Sequence, residues 1–204
     1  MGTLEKVIAF MASKSYAMFT ENPYDLNIVG IRGEFVPDKF GCQLLVFYAN
    51  EEKRLIHHVF PITTYPGVYW IDNPMQAAGC GVLLEGQYRG AWNLGFHHQI
   101  NALVQNWQTS PKQSPLSWTR IQKGTRVITR EMLQMGKRES GFAGFNLHPV
   151  MDQNNQTVGQ DSAGCQVTQY RADFDLIMSI AKKQVANGLG DRYTYTLIHN
   201  NDLV

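Results

Sequence analysis

Cysteine is scarce and scattered in this chain. Cys42, Cys80 and Cys165 make an odd number with no close pair, which speaks against a disulfide framework and against a zinc knuckle. At most one pair can form, and Cys42 with Cys80 would leave Cys165 a free thiol. Long apolar runs are missing as well, since no window approaches the roughly eighteen residues of a membrane span. "VIAFMA" near the start runs into Ser13 and Lys14, too soon for a secretory h-region and with no convincing small-residue cleavage site. Lys6 stands where a myristoylation signal takes Ser or Thr. The expectation is a chain without a signal peptide, made in a cytosol, whose export would use another route.

What is present is ordinary for a soluble fold. With 204 residues, 44% hydrophobic and 17% charged, the chain can bury one sizeable core without staples. A net charge of +1 hides an asymmetry: Lys112, Arg120, Lys123, Arg126, Arg130, Lys137 and Arg138 share one stretch with Glu131 and Glu139 as its acids. Such a run can face an anionic polymer or form a solvated edge.

Leu4, Val7, Ile8, Met11, Ser15 and Met18 carry helical spacing, which Asn22-Pro23 should stop. "CQLLVFYAN" and "RLIHHVFPI" flank a polar turn and predict a hairpin over about residues 42–62. Further strands are expected at Val68–Ile71, Gly81–Leu84, Ala102–Gln105, Arg126–Thr129, Phe142–Leu147 and Gln166–Thr168, with an exposed loop or flap from Asn106 to Trp118. Phe174, Ile177, Met178, Ala181 and Val185 mark a second helix, capped by Asp173 and stopped by Asn187-Gly188. "YTYTLI" closes the fold as a strand. The reading is a mainly β (α+β) domain over residues 25–204, with residues 1–24 a helical extension.

Chemistry concentrates around "HPVMDQNNQTVGQDSAGCQV". A thiol becomes a useful nucleophile when a base or a positive field favours its thiolate. His148 ends an apolar run, and Cys165 follows across a polar loop that can fold back. Ser162-Ala163-Gly164 is a small-residue approach, and Gly164 lets the backbone turn so that the amides of Gly164 and Cys165 point at one spot, as an oxyanion hole needs. Taken alone, Cys165 can equally be an inert apolar filler and His148 a satisfied strand-end residue.

The order strand, His, loop, Ser-x-Gly-Cys, short strand, helix, closing strand resembles the catalytic domain of the L,D-transpeptidases, cysteine enzymes that remodel bacterial peptidoglycan. "FNLHP", "SAGCQV", "DFDLIMSIAKKQ" and "YTYTLI" occupy the family's places, and "PITTYPGVYWI" is similar to its Thr-Pro-x-Gly-x-Tyr/Phe segment. The likeness spans about residues 55–198, with its specificity in the His and Ser-x-Gly-Cys pieces. "GQYRGAWNLGFHH", "ALVQ" and "GFNLHP" with "SAGCQV" are also similar to bacteriophage proteins of this type. Pro149 replaces the family's glycine, Ala163 its second histidine, and Gln166-Val167 its hydrophobic-Arg pair.

The resemblance implies an L,D-transpeptidase-like β-sandwich or barrel with a helix near each end. It implies a thioacyl enzyme with Cys165 as nucleophile, His148 as base, Gly164 in the oxyanion turn and Ser162 bracing it. His97 and Gln166 are the expected substrate contacts, and Tyr88 with Arg89 can grip a carboxylate. His57 and His58 fall on opposite faces of a strand and cannot share one site. No cofactor is called for, and the residues around Asp161 lack metal-ligand spacing. Bacterial stem peptides are the expected partner, not nucleic acid, and a virion or secretion apparatus would deliver the protein to periplasmic wall. A phage lysis or entry endopeptidase or carboxypeptidase is the first expectation. A transpeptidase, an interbacterial effector and a non-enzymatic virion or wall-binding protein are the alternatives.

Overall fold

The computed structural model describes residues 2–107, 115–152 and 156–203. The chain begins with α1 (Thr3–Ser13). Its periodic stripe reaches Met18, but the helix stops earlier because Ser15 takes a φ of 53° and Tyr16 N bonds back to Met11 O, a left-handed C-terminal cap. Then come β1 (Asn27–Arg32), β2 (Cys42–Ala49), β3 (Leu55–Thr63), α2 (Val68–Asp72), β4 (Cys80–Leu83), β5 (Gly86–His97) and β6 (Ile100–Gln105). β7 (Leu116–Ile121), α3 (Arg130–Met135), β8 (Glu139–Gly141), β9 (Leu147–Pro149), β10 (Gln166–Thr168), α4 (Arg171–Ala186) and β11 (Tyr193–His199) follow, and a short 3-10 helix at Asn200–Asp202 completes the order.

Eight strands close a barrel in the order β1, β11, β5, β6, β9, β10, β3, β2, and β4, β7 and β8 form a second, three-stranded sheet. The fold is mainly β with a few helices, as the apolar alternation predicts. Two of the barrel contacts, β1 with β11 and β9 with β10, are parallel. Leu44, Val46, Trp92, Tyr193, Tyr195 and Leu197 belong to the larger core, which α4 joins through Phe174 and Ile177. On another face Leu4, Val7 and Met11 of α1 pack against Val29, Ile31, Leu45, Phe47 and Ile198. Both faces of β11 are therefore covered, and all seven of its residues are buried. No helix among the described residues is long and apolar enough to cross a membrane.

Several expected elements differ. Val68–Ile71 is helix, not strand: Val68 N–H donates to Asp38 Oδ1 at 2.7 Å, so a side chain thirty residues back caps the turn against the strand preference of Val, Tyr and Ile. Arg126–Thr129 is not strand; Thr129 is the N-cap of α3, its side chain accepting from Met132 N. Phe142–Leu147 is mostly loop, flanked by β8 and β9. α4 starts at Arg171, so Asp173 sits in its first turn and Tyr170 is its N-cap. Of the expected flap, residues 108–114 lie outside the described residues, and Leu116 onward is β7.

Candidate active site

The barrel register brings the histidine and the cysteine together. In the parallel pair β9/β10, Gln166 is level with Leu147 and Val167 with His148, so Cys165 falls level with Asn146. Side chains two apart on a strand share a face, which places Cys165, Asn146 and His148 on one side of this sheet. β6 lies beside β9, Leu103 facing Leu147, and the β5/β6 hairpin carries His97 to the same place. That hairpin turns through His98 and Gln99 at φ 45° and 68°, the doubly left-handed path of a two-residue β-turn.

One ring nitrogen each of His97 and His148 and the Cys165 sulfur lie within 4.8 Å of one another. The two imidazoles stack with centroids 4.5 Å apart. Cys165 and His97 line a cavity of about 650 Å³, whose walls also include Cys80, Phe145, Asp161 and Gly164. His148 is fully buried beside it.

Protonation states follow from the hydrogen bonds. His148 Nδ1 lies 2.8 Å from Pro149 O; a carbonyl can only accept, so the proton sits on Nδ1 and Nε2 carries the lone pair. Nε2 is buried without a hydrogen-bond partner, as a base awaiting a proton would be. Burial, with smaller contributions from His97 and His98, lowers the His148 pKa to about 4. Burial raises the Cys165 thiol to about 11, only partly opposed by a backbone hydrogen bond from Asn146. The resting pair is a neutral thiol and a neutral imidazole. Cys165 Sγ meanwhile donates to Gly144 O at 3.4 Å.

Two side chains that sequence reasoning passed over build this geometry. Gln105 Oε1 accepts from the amides of Ala143, Gly144 and Phe145 at 3.0, 2.7 and 3.2 Å, clamping the loop whose carbonyl meets the thiol. Asn146 Oδ1 accepts from Gln105 N at 2.8 Å, and Asn146 Nδ2 lies 3.1 Å from His97 Nδ1. Both stand in or beside motif pieces, but nothing in the sequence sets them apart from other polar residues.

The turn before the thiol is braced from within. Ser162 Oγ donates to Cys165 O at 2.8 Å and accepts from Gly164 N at 3.2 Å. The Gly164 amide is thus engaged by Ser162 rather than aimed at a ligand. Gly164 has a φ of 136°, and a Cβ there would lie 2.8 Å from the Phe145 ring and 2.9 Å from Gly81 O.

The other candidates are placed elsewhere. Gln166 is fully buried, donating to Gly164 O at 3.3 Å and accepting from Tyr195 Oη at 2.8 Å, a brace rather than a substrate contact. Tyr88 is buried with its hydroxyl on Leu84 O and Ser117 O, while Arg89 is exposed over the Phe19 ring; the pair does not form one carboxylate grip. His57 and His58 are not in the cavity wall, and His58 stacks on Tyr48 and Phe60. Of the basic run, Arg120 lines the cavity but is held by Glu139, Arg126 pairs with Asp72, and Arg130 with Glu85 and Asp202.

Cys, His and His form a donor set that zinc accepts. As hydrogen-bonded, however, the trio offers one imidazole lone pair to a metal, at His148 Nε2, because that of His97 Nδ1 is taken by the Asn146 amide. The arrangement suits proton transfer from thiol to imidazole better than three-point ligation. Comparison with protein-family models, with curated proteins and with solved structures finds no match.

Proposed function

We propose that this protein is a cysteine peptidoglycan hydrolase of the L,D-transpeptidase kind, cutting stem peptides for a phage during lysis or entry. The observation that carries the reading is the unpartnered, buried Nε2 of His148, a residue with a ring nitrogen within 4.8 Å of the Cys165 thiol at a cavity wall. The order of motifs around it supports the family, and the cavity is large enough to seat a short peptide.

Catalysis starts from the neutral pair. Cys165 Sγ leaves Gly144 O, passes its proton to His148 Nε2, and attacks the carbonyl carbon of the L-centre of a diaminopimelate. The Cys165 amide faces the developing oxyanion. Collapse of the tetrahedral intermediate breaks the C–N bond, the leaving amine takes the proton from His148, and a thioester remains. His148 then draws a proton from water, which attacks the thioester and releases the acid as the thiol is restored.

Water is favoured over an amine because the acceptor side is sparsely furnished. Ala163 stands on the cavity wall where the family has a second histidine, and Val167, in place of its arginine, is fully buried and off that wall. An amine gains little orientation there, and water needs none. Purified sacculi incubated with the protein and with Cys165→Ala test the reading. Soluble muropeptides released by the first and not the second are expected; release by neither overturns it.

A further inference from the structure

The Asn146 amide settles the tautomer of His97. Gln105 N is a backbone amide and can only donate, so the Asn146 atom it meets at 2.8 Å is the carbonyl oxygen. The amide NH₂ is then what faces His97 Nδ1 at 3.1 Å, and Nδ1 must accept. The proton of the neutral ring is on Nε2. A second proton would set Nδ1–H against the Asn146 NH₂, so the same contact keeps His97 uncharged, and burial and His98 lower its pKa in the same sense.

The two stacked histidines therefore differ in kind. The ring nitrogen of His148 that Pro149 O does not hold carries a lone pair, and the ring nitrogen of His97 that Asn146 does not hold carries an N–H. Meanwhile the Gly164 amide, which an oxyanion hole before Cys165 would use, is taken by Ser162 Oγ. The site has a nucleophile and a base but one backbone donor fewer than the turn alone suggests, and His97 lies on the cavity wall with a ring nitrogen within 4.8 Å of the thiol.

We propose that His97 is a catalytic residue of this site, a neutral imidazole whose Nε2–H donates to the carbonyl oxygen of the scissile bond as that oxygen becomes negative. This rests on the cysteine-hydrolase reading and adds the second oxyanion donor to it. A neutral imidazole serves because it supplies an N–H donor with no charge to bury in the resting site, and removing one such donor costs about 10²-fold or more in rate.

The test separates attack with an oxyanion from attack without one. Acylation of Cys165 by a carbapenem passes through a tetrahedral oxyanion, whereas alkylation by iodoacetamide forms none; both need the thiolate. For His97→Leu, acylation should fall by about 10²-fold while Cys165 alkylation stays near wild type, and His97→Gln, which keeps an N–H donor, should recover part of the loss. Long-range nitrogen NMR of histidine-labelled protein should show His97 as the Nε2–H tautomer. Equal loss of acylation and alkylation in His97→Leu would mean that the ring acts on the thiol, and unchanged acylation that it does nothing there; either overturns the proposal alone. An Nδ1–H tautomer also overturns it. Wild-type protein that alkylates at Cys165 but never acylates would sink the hydrolase reading, and this one with it. Thermal melts of the variants exclude unfolding as the cause of any loss.

Discussion

His148 Nδ1 donates to the carbonyl of Pro149, its own neighbour, at 2.8 Å. A proline at that position has no N–H, but the carbonyl that orients the ring is intact, and the fixed φ of proline stiffens the strand holding it. Proline at that position leaves the imidazole oriented, because the bond uses a backbone carbonyl that any residue supplies.

A stability consequence follows from the low pKa. In the unfolded chain His148 titrates near 6.5, in the folded protein near 4. Above the higher value both forms are neutral and the group contributes nothing. Between the two, falling pH loads a proton onto the unfolded chain alone, so the fold loses stability, by about 3 kcal/mol at pH 4, and the loss levels off below. The direction for His97 is the same. Urea melts between pH 7 and 4 should show a shallower decline for His148→Gln than for wild type; parallel declines would assign the effect to other groups.

Thiol reactivity should depend on the imidazole rather than on a resting thiolate. Cys80 and Cys165 share the cavity, and burial lifts both to about 11. Cys80 Sγ is turned toward Ala163 O, whereas His148 stands beside Cys165. Peptide mapping after brief iodoacetamide treatment at neutral pH should find Cys165 modified first, with His148→Ala slowing it to the pace of Cys80. Faster modification of Cys80 in the wild type would refute Cys165 as the activated thiol.

Ser162 should matter to the fold as much as to the chemistry. Its own side chain is fully buried, and its hydroxyl joins Cys165 O to Gly164 N within the turn. Ser162→Ala leaves a carbonyl and an amide without that partner, each worth about 1–3 kcal/mol when buried. A fall of at least about 2 kcal/mol in unfolding free energy is expected from denaturant titration; an unchanged midpoint would mean that another group fills the place.

The hairpin, β10, the second helix and the closing strand were legible because their apolar periodicity is local. β5 was not, since Gly86, Gly90 and Gly95 break the alternation of "GQYRGAWNLGFH". Gly95 has a reason that only the fold supplies: a Cβ there would lie 2.6 Å from Val104 on the neighbouring strand. α2 was misread because its cap comes from Asp38. The candidate pair Cys165 and His148 could be named from motif order, and His97 from its neighbourhood. Asn146 and Gln105 could not, because their roles arise only when β6 lies against β9, and a buried amide in sequence looks like any other polar residue. Gln166 was misplaced for the converse reason: its partner Tyr195 comes from a strand across the barrel interior, twenty-nine residues away.

β1 and β11 lie side by side, Asn27 opposite Thr194. A ribosome delivers β11 long after β1. β1 must wait with one edge unfilled until β11 has been made, an invitation to pair with a wrong strand, and the ring of strands is complete only then. Such long-range closure makes for slow folding. A protease that severs β11 would reopen the ring at a point remote from the thiol.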